Sequence, residues 1–311
     1  MNHKIQDKWE KRSSVRSRPR IIFDPSSKGY FLPISHQPLA AHPKILEKGN
    51  DALNYLLTQS FYKYSNDIAV IETRVVNNAI LTVVTNTLPI EFSEEQKLNL
   101  YTIMVDESYH AYVAYDCMMQ IEKNTHIAPL PLPKTIEIER AMVTVKEKLP
   151  GKYHGVFDLI AVCLAENTLT KEIVSMIDKS ETHPFFQKMI DDHLSDESRH
   201  SGIFFHLLKY IWEKISDEYK ENIANILPSF LELYLGVQVQ MEFERKILIQ
   251  LGFSENEATS MLEETYKEFR LTKDSPLLKN ILMQLDRAGL IDKFTSPMLK
   301  EKNWLLQGSG E

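Results

Sequence analysis

Asp192-His193-Leu194-Ser195-Asp196-Glu197-Ser198-Arg199-His200 is the stretch from which this chain is best read. At 3.6 residues per turn, His193, Glu197 and His200 share a narrow arc of one helix face. Two imidazoles and a carboxylate stacked over two turns can grip one side of a metal centre. They are also costly to bury without a partner. A second Glu-x-x-His stands upstream as Glu107-Ser108-Tyr109-His110. One such tetrapeptide is weak evidence. Two, each inside a predicted helix and each preceded by an aspartate (Asp106, Asp196), form a pattern.

A dinuclear carboxylate site in a helical bundle needs one further Glu from each of two other helices. Glu72, in Ala69-Val70-Ile71-Glu72-Thr73, and Glu166, in Val162-Cys163-Leu164-Ala165-Glu166-Asn167, are acids on otherwise apolar stretches. The order Glu … Glu-x-x-His therefore occurs twice. Four carboxylates are hard donors that can bridge two cations, and with imidazoles they suit iron, or manganese, better than a structural zinc. Their charge offsets much of that of two buried ions. Asp106 and Asp196 lie four residues before His110 and His200, where they can accept imidazole N–H groups.

The remaining sequence reads as helix. Strand signals are scarce, so the expected class is all-α, built on four long helices. Helical signals dominate from about Asn50; residues 64–87 show helical spacing, and further predicted helices cover 94–123, 135–148, 153–178 and 184–215. Ser93 with Gln96 and Ser254 with Glu257 read as capping boxes. A further helix should run from Ser216 towards Leu251, with Pro228 breaking or kinking it. A short one should run from Ser275-Pro276 to Gly289. Residues 1–45, with Pro19, Pro25, Pro33, Pro38 and Pro43, read as an irregular basic arm. Residues 46–295 read as the main domain and 296–311 as a tail.

Composition narrows the function. The chain has 311 residues, 43% of them hydrophobic and 25% charged, and only 10 glycines. That argues against a Gly-rich nucleotide-binding fold. A net charge of −7 gives no support for nucleic-acid binding. No apolar run approaches a membrane span. Cys117 and Cys163 make no disulfide framework and suit a reduced, cytoplasmic setting.

Glu72, Glu107, His110, Glu166, Glu197 and His200 resemble the ligand set of ferritin-like di-metal carboxylate proteins. His193 resembles the seventh ligand of the p-aminobenzoate N-oxygenase (AurF-type) diiron family, whose last core helix reads His-x-x-x-Glu-x-x-His. The resemblance implies a ferritin-like four-helix bundle with additional helices, holding two irons, or manganese in their place. It implies an oxidoreductase that uses O2 and an external electron donor to oxidise a small-molecule amine. In the family's best-known members an arylamine goes to the hydroxylamine and on to nitroso and nitro products. It also implies a homodimer.

Other readings compete. A ribonucleotide reductase small subunit would place a tyrosine where Ala114 stands. Desaturases and other diiron monooxygenases acting at carbon share six of the seven positions. A non-enzymatic helical metal-binding or interaction protein is the alternative of another class. Cys117 and Cys163 read as core thiols and Tyr109, Tyr112 and Tyr115 as packing aromatics. Arg74, Arg199 and Arg245 read as ion-pair partners.

Overall fold

Strong start signals, rather than uniform propensity, set where the helices lie. The computed structural model describes residues 4–176 and 180–305. The arm holds α1 (Lys4–Arg12), α2 (Ser14–Ser17) and α3 (Pro43–Lys48). A long rod follows: α4 (Asn50–Val70), a π-helical segment Ile71–Val76, and α5 (Asn77–Val84). Then come α6 (Glu94–Thr125), α7 (Glu137–Lys146), α8 (His154–Met176) and α9 (Pro184–Lys214). The C-terminal part is α10 (Asp217–Tyr234), α11 (Gln238–Gln250), α12 (Glu255–Tyr266), α13 (Pro276–Arg287) and α14 (Thr295–Glu301).

Local chemistry explains the main starts. Ser93 Oγ accepts from Gln96 N at 3.2 Å while Gln96 Oε1 accepts from Ser93 N at 2.8 Å, the reciprocal cap of α6. His183 Nδ1 accepts from Phe185 N at 3.1 Å, and Pro184 supplies a pre-set φ for the first turn of α9. Ser254 and Glu257 make a second reciprocal cap at α12.

The α4–π–α5 rod, α6, α8 and α9 form a ferritin-like core: α4 runs along α6, α8 along α9, and α5 against both α6 and α8. No strand occurs among the described residues. An isolated bridge joins Tyr30 to Thr182, and His183 N donates to Tyr30 O at 2.8 Å. Gly29, at φ +135°, lets the arm pass there: a Cβ would meet His183 N at 2.5 Å.

Two apolar cores fill the molecule. One joins Val76, Ile80 and Val83 to Leu100, Ile103, Phe157, Phe204, Ile211 and Phe230. The other joins Leu56, Leu57 and Phe61 to Cys117, Ile121, Phe186, Ile190 and Phe243. Each long core helix contributes to both. The stretch between is polar yet buried, and it holds Glu72, Asp106, Glu107, His110, Glu166, His193, Asp196, Glu197 and His200.

Several boundaries differ from expectation. The start of the arm is helical, not irregular. Its prolines begin only at Pro19, and α1 and α2 gain partners by lying on α6, with α2 also on α9. The rod does begin at Asn50, where the helical signals set in. Pro228 does not break α10, which runs through it. The ring removes one backbone hydrogen bond, and the buried face Ile223, Leu227, Phe230 and Leu231, with α10 packed on α7, offsets that loss. The break falls instead at 235–237, around Gly236, where an added Cβ would lie 3.1 Å from Leu233 O. Residues 296–301, expected in the tail, belong to helix α14 packed on α10.

Phe157 is fully buried and meets Phe230 edge-on, with ring centroids 5.4 Å apart. Phe157→Ala should lower the unfolding free energy by about 3–5 kcal/mol, read as an earlier midpoint in denaturant titration with helical content kept in buffer.

Candidate metal centre

Seven side chains from four elements converge in the polar layer. The π segment supplies Glu72; α6 supplies Glu107 and His110; α8 supplies Glu166; α9 supplies His193, Glu197 and His200. They form two groups, Glu72–His110–His193–Glu197 and Glu107–Glu166–Glu197–His200. Within each group, one ligand-type atom per residue lies within 4.8 Å of the others. Glu197 belongs to both and sits between them. A π turn carries one more residue than an α turn and is common at functional positions; here it is the turn that bears Glu72.

The imidazoles are oriented. His110 Nδ1 lies 3.2 Å from Glu107 Oε2 and 3.7 Å from Glu72 and Glu197 Oε1. His200 Nδ1 lies 3.0 Å from Glu107 Oε1 and 3.1 Å from Glu197 Oε1. His193 faces the cluster through Nε2 instead, 3.1 Å from Glu72 Oε1 and 3.3 Å from Glu197 Oε1.

Asp106 and Asp196 hold the outer edges of two of these rings, with the pairing crossed between helices. His110 Nε2 donates to Asp196 Oδ2 and His200 Nε2 to Asp106 Oδ2, each at 3.1 Å. Each ring is long enough to span the gap between α6 and α9, so its partner lies on the opposite helix rather than one turn back on its own. With the proton held at Nε2, the Nδ1 lone pair points inward.

These aspartates are held in turn. Arg199 donates to Asp106 Oδ2 and, at 3.2 Å, to Asp196 Oδ1. Trp9 Nε1 donates to Asp106 Oδ1 at 2.8 Å. Ser14 donates to Asp196 Oδ2 through Oγ at 2.5 Å and through its backbone N–H at 3.1 Å. The arm thus reaches the second layer of the site. No local signal marks Trp9 or Ser14, because their partners stand 97 and 182 positions away.

Burial sets the electrostatics. It pushes the Glu166 carboxyl well above its ordinary value, with Glu197 and Glu107 adding to the effect. It raises Glu72 to about 7, against the pull of His110 and His193. For His193, burial and neighbouring His110 favour the neutral ring, but Glu72 and Glu197 outweigh them and raise it to about 9. Without other cations, protons supply the positive charge that this cluster requires. Glu72 Oε2 and Glu197 Oε2 are buried with no hydrogen-bond partner among the described residues. Hard oxygens left open, with imidazole lone pairs beside them, fit two cations such as iron or manganese.

The other singled-out residues lie elsewhere. Cys117 and Cys163 are buried free thiols outside both groups. Arg74 pairs with Glu139 and Arg245 with Glu255. A cavity of about 320 Å³ opens onto Glu72 and His193, with walls that include Ile68, Ile71, Ile136, Ile138 and Leu235. A larger one, about 490 Å³, lies beside the arm and touches Arg199 but none of the seven.

A family model described as p-aminobenzoate N-oxygenase AurF matches residues 2–269. A 4-aminobenzoate N-oxygenase from Streptomyces thioluteus is 20% identical over 297 residues, covering 91% of this chain and 85% of that protein.

Adjacent serines of the arm should behave oppositely. Ser14→Ala removes a donor to a buried carboxylate and should cost about 1.5–3 kcal/mol of unfolding free energy. Ser13 Oγ is buried with no hydrogen-bond partner among the described residues, so Ser13→Ala should be neutral or slightly stabilising in the same denaturant titration.

Proposed function

The chain belongs to the p-aminobenzoate N-oxygenase AurF family, and from that membership we propose that it is an O2-dependent diiron oxidoreductase that N-oxygenates a small-molecule amine, an arylamine in the simplest case. The observation that carries the reading is the pair of overlapping buried Glu/His groups opening on an apolar cavity. Glu72, His110 and His193 would hold one iron, Glu107, Glu166 and His200 the other, and Glu197 would lie between them. The bound irons, reduced by an external electron donor, would supply the activation of O2.

This chain's own residues do the rest. Asp106 and Asp196 keep the proton on Nε2 of His200 and His110, so both rings present Nδ1 to the centre. Ile68, Ile71, Ile136 and Ile138 make a dry approach to Glu72 and His193. A substrate amine entering there meets the side of the centre that carries the extra imidazole. Manganese fits the same donor set. No described helix is long and apolar enough to cross a membrane, and the two buried free thiols suit the cytoplasm.

Assembly follows a separate observation. Leu98, Tyr101, Val105, Tyr112, Tyr115 and Met119 are exposed on α6. Their spacing is that of a coiled-coil seam, and it favours a homodimer in which α6 meets its copy. Tyr112→Glu combined with Val105→Glu should convert a dimer to a monomer in light scattering after gel filtration; an unchanged mass would remove this seam.

Loading with Fe(II) under argon should give two irons per chain, and affinity should fall as the pH drops from about 8 to 6. The sign follows from the carboxyls: Glu72 and Glu166 hold protons more tightly than usual and His193 is protonated at neutral pH, so metal must displace protons. Reductant, O2 and a panel of amines should then yield N-oxidised products by mass spectrometry. Hydroxylation at carbon alone would favour a carbon-directed monooxygenase, and no stoichiometric metal would favour a scaffold.

A further inference from the structure

We propose that the substrate carries a hydrogen-bond donor or a cationic group, and not a carboxylate, at the end away from the oxidised amine. The inference rests on the N-oxygenase reading above. The cavity that opens onto Glu72 and His193 extends along α4 to a second polar end, where Lys63, Asp67 and Glu137 line it. Asp67 stands five positions before Glu72 and Lys63 nine. At 1.5 Å per residue they lie roughly 7 and 13 Å along the rod from Glu72. A single para-substituted ring, with its amine at the metal end, places its far substituent in that range.

The charge at that end is already spent. Lys63 is buried, and its Nζ lies 2.5 Å from Asp67 Oδ2. Glu137 and the buried Glu244 also feel its charge. Lys63 is thus shared among three carboxylates, of which Glu137 also feels Arg140. Glu137 Oε1 accepts from Val239 N at 2.6 Å, and Glu244 Oε1 accepts from Gln240 Nε2 at 2.7 Å and Tyr266 Oη at 2.9 Å. Asp67 lines the cavity with its side chain 29% exposed, and its buried Oδ1 has no hydrogen-bond partner among the described residues. An open acceptor in an acid-rich end asks for a donor. A carboxylate brings only acceptors and a like charge, and would leave Asp67 unsatisfied. A site built around one polar partner rejects the analogue that lacks it far more strongly than an apolar wall rejects a methylene.

Three ligands with the same ring and the same amine test this: 4-aminobenzoate, 4-aminobenzamide and 4-aminobenzylamine, titrated calorimetrically into the Fe(II)-loaded chain. The amide and the benzylamine should each bind at least tenfold more tightly than the benzoate. Asp67→Asn should remove at least tenfold of the benzylamine's advantage. Glu137→Gln, which keeps an acceptor for the Val239 N–H, should reduce it in the same direction and serves if the first variant does not fold. Benzoate binding as tightly as the other two, no binding of any of the three, or an unchanged preference in the folded variants would overturn the proposal. Product analysis on the same samples is a separate readout: the expected binding order without any N-oxidised product would leave the pocket assignment standing and sink the N-oxygenase reading.

Discussion

Four glutamates and three histidines buried between two apolar cores are the constraint on which the rest of the structure turns. Such a layer is unfavourable unless every charge finds an opposite one. Here carboxylates and imidazoles gather around two overlapping centres; burial makes Glu72 and Glu166 hold their protons more tightly, and neighbouring carboxylates do the same for His193. The long helices are arranged so that each passes through this layer once and contributes apolar side chains on either side of it. The result is a rigid frame around side chains that would not otherwise stay inside.

Rigidity extends outward through the crossed Asp–His pairs. Because His110 bonds to Asp196 on α9 and His200 to Asp106 on α6, the two helices cannot slide past one another without breaking both contacts. Arg199 bridges the two aspartates, and the arm closes the network through Trp9 and Ser14. A segment with little sequence character of its own thereby becomes part of the support of the centre. Its helices gain their stability from α6 and α9 rather than from propensity.

The 320 Å³ cavity has two unlike ends. At one end the π turn delivers Glu72 and α9 delivers His193; at the other lie Lys63 and Asp67 of α4, paired with each other, and Glu137 at the start of α7. The apolar wall between them gives shape without polarity.

Spacing alone was enough for the all-α class, the caps at Ser93 and Ser254, and the six positions of the repeated Glu … Glu-x-x-His order, because helical periodicity and such motifs are local properties; His193 as a seventh came with the family resemblance. It also placed Asp106 and Asp196 beside imidazoles, as acceptors of their N–H groups, but an i, i+4 relation on one helix does not say which neighbour a ring reaches. The π turn at Ile71–Val76, the continuity of α10 through Pro228, the roles of Trp9 and Ser14, and the partners of the expected Arg199 ion pair came only from the folded chain. Each depends on contacts between residues far apart in sequence, where packing outweighs local propensity. The sequence by itself determined which side chains could bind cations and on which helices they stand; the tertiary structure decided how they are oriented, what holds them and what the cavity beside them admits, because those are properties of distances between helices and not of positions along one.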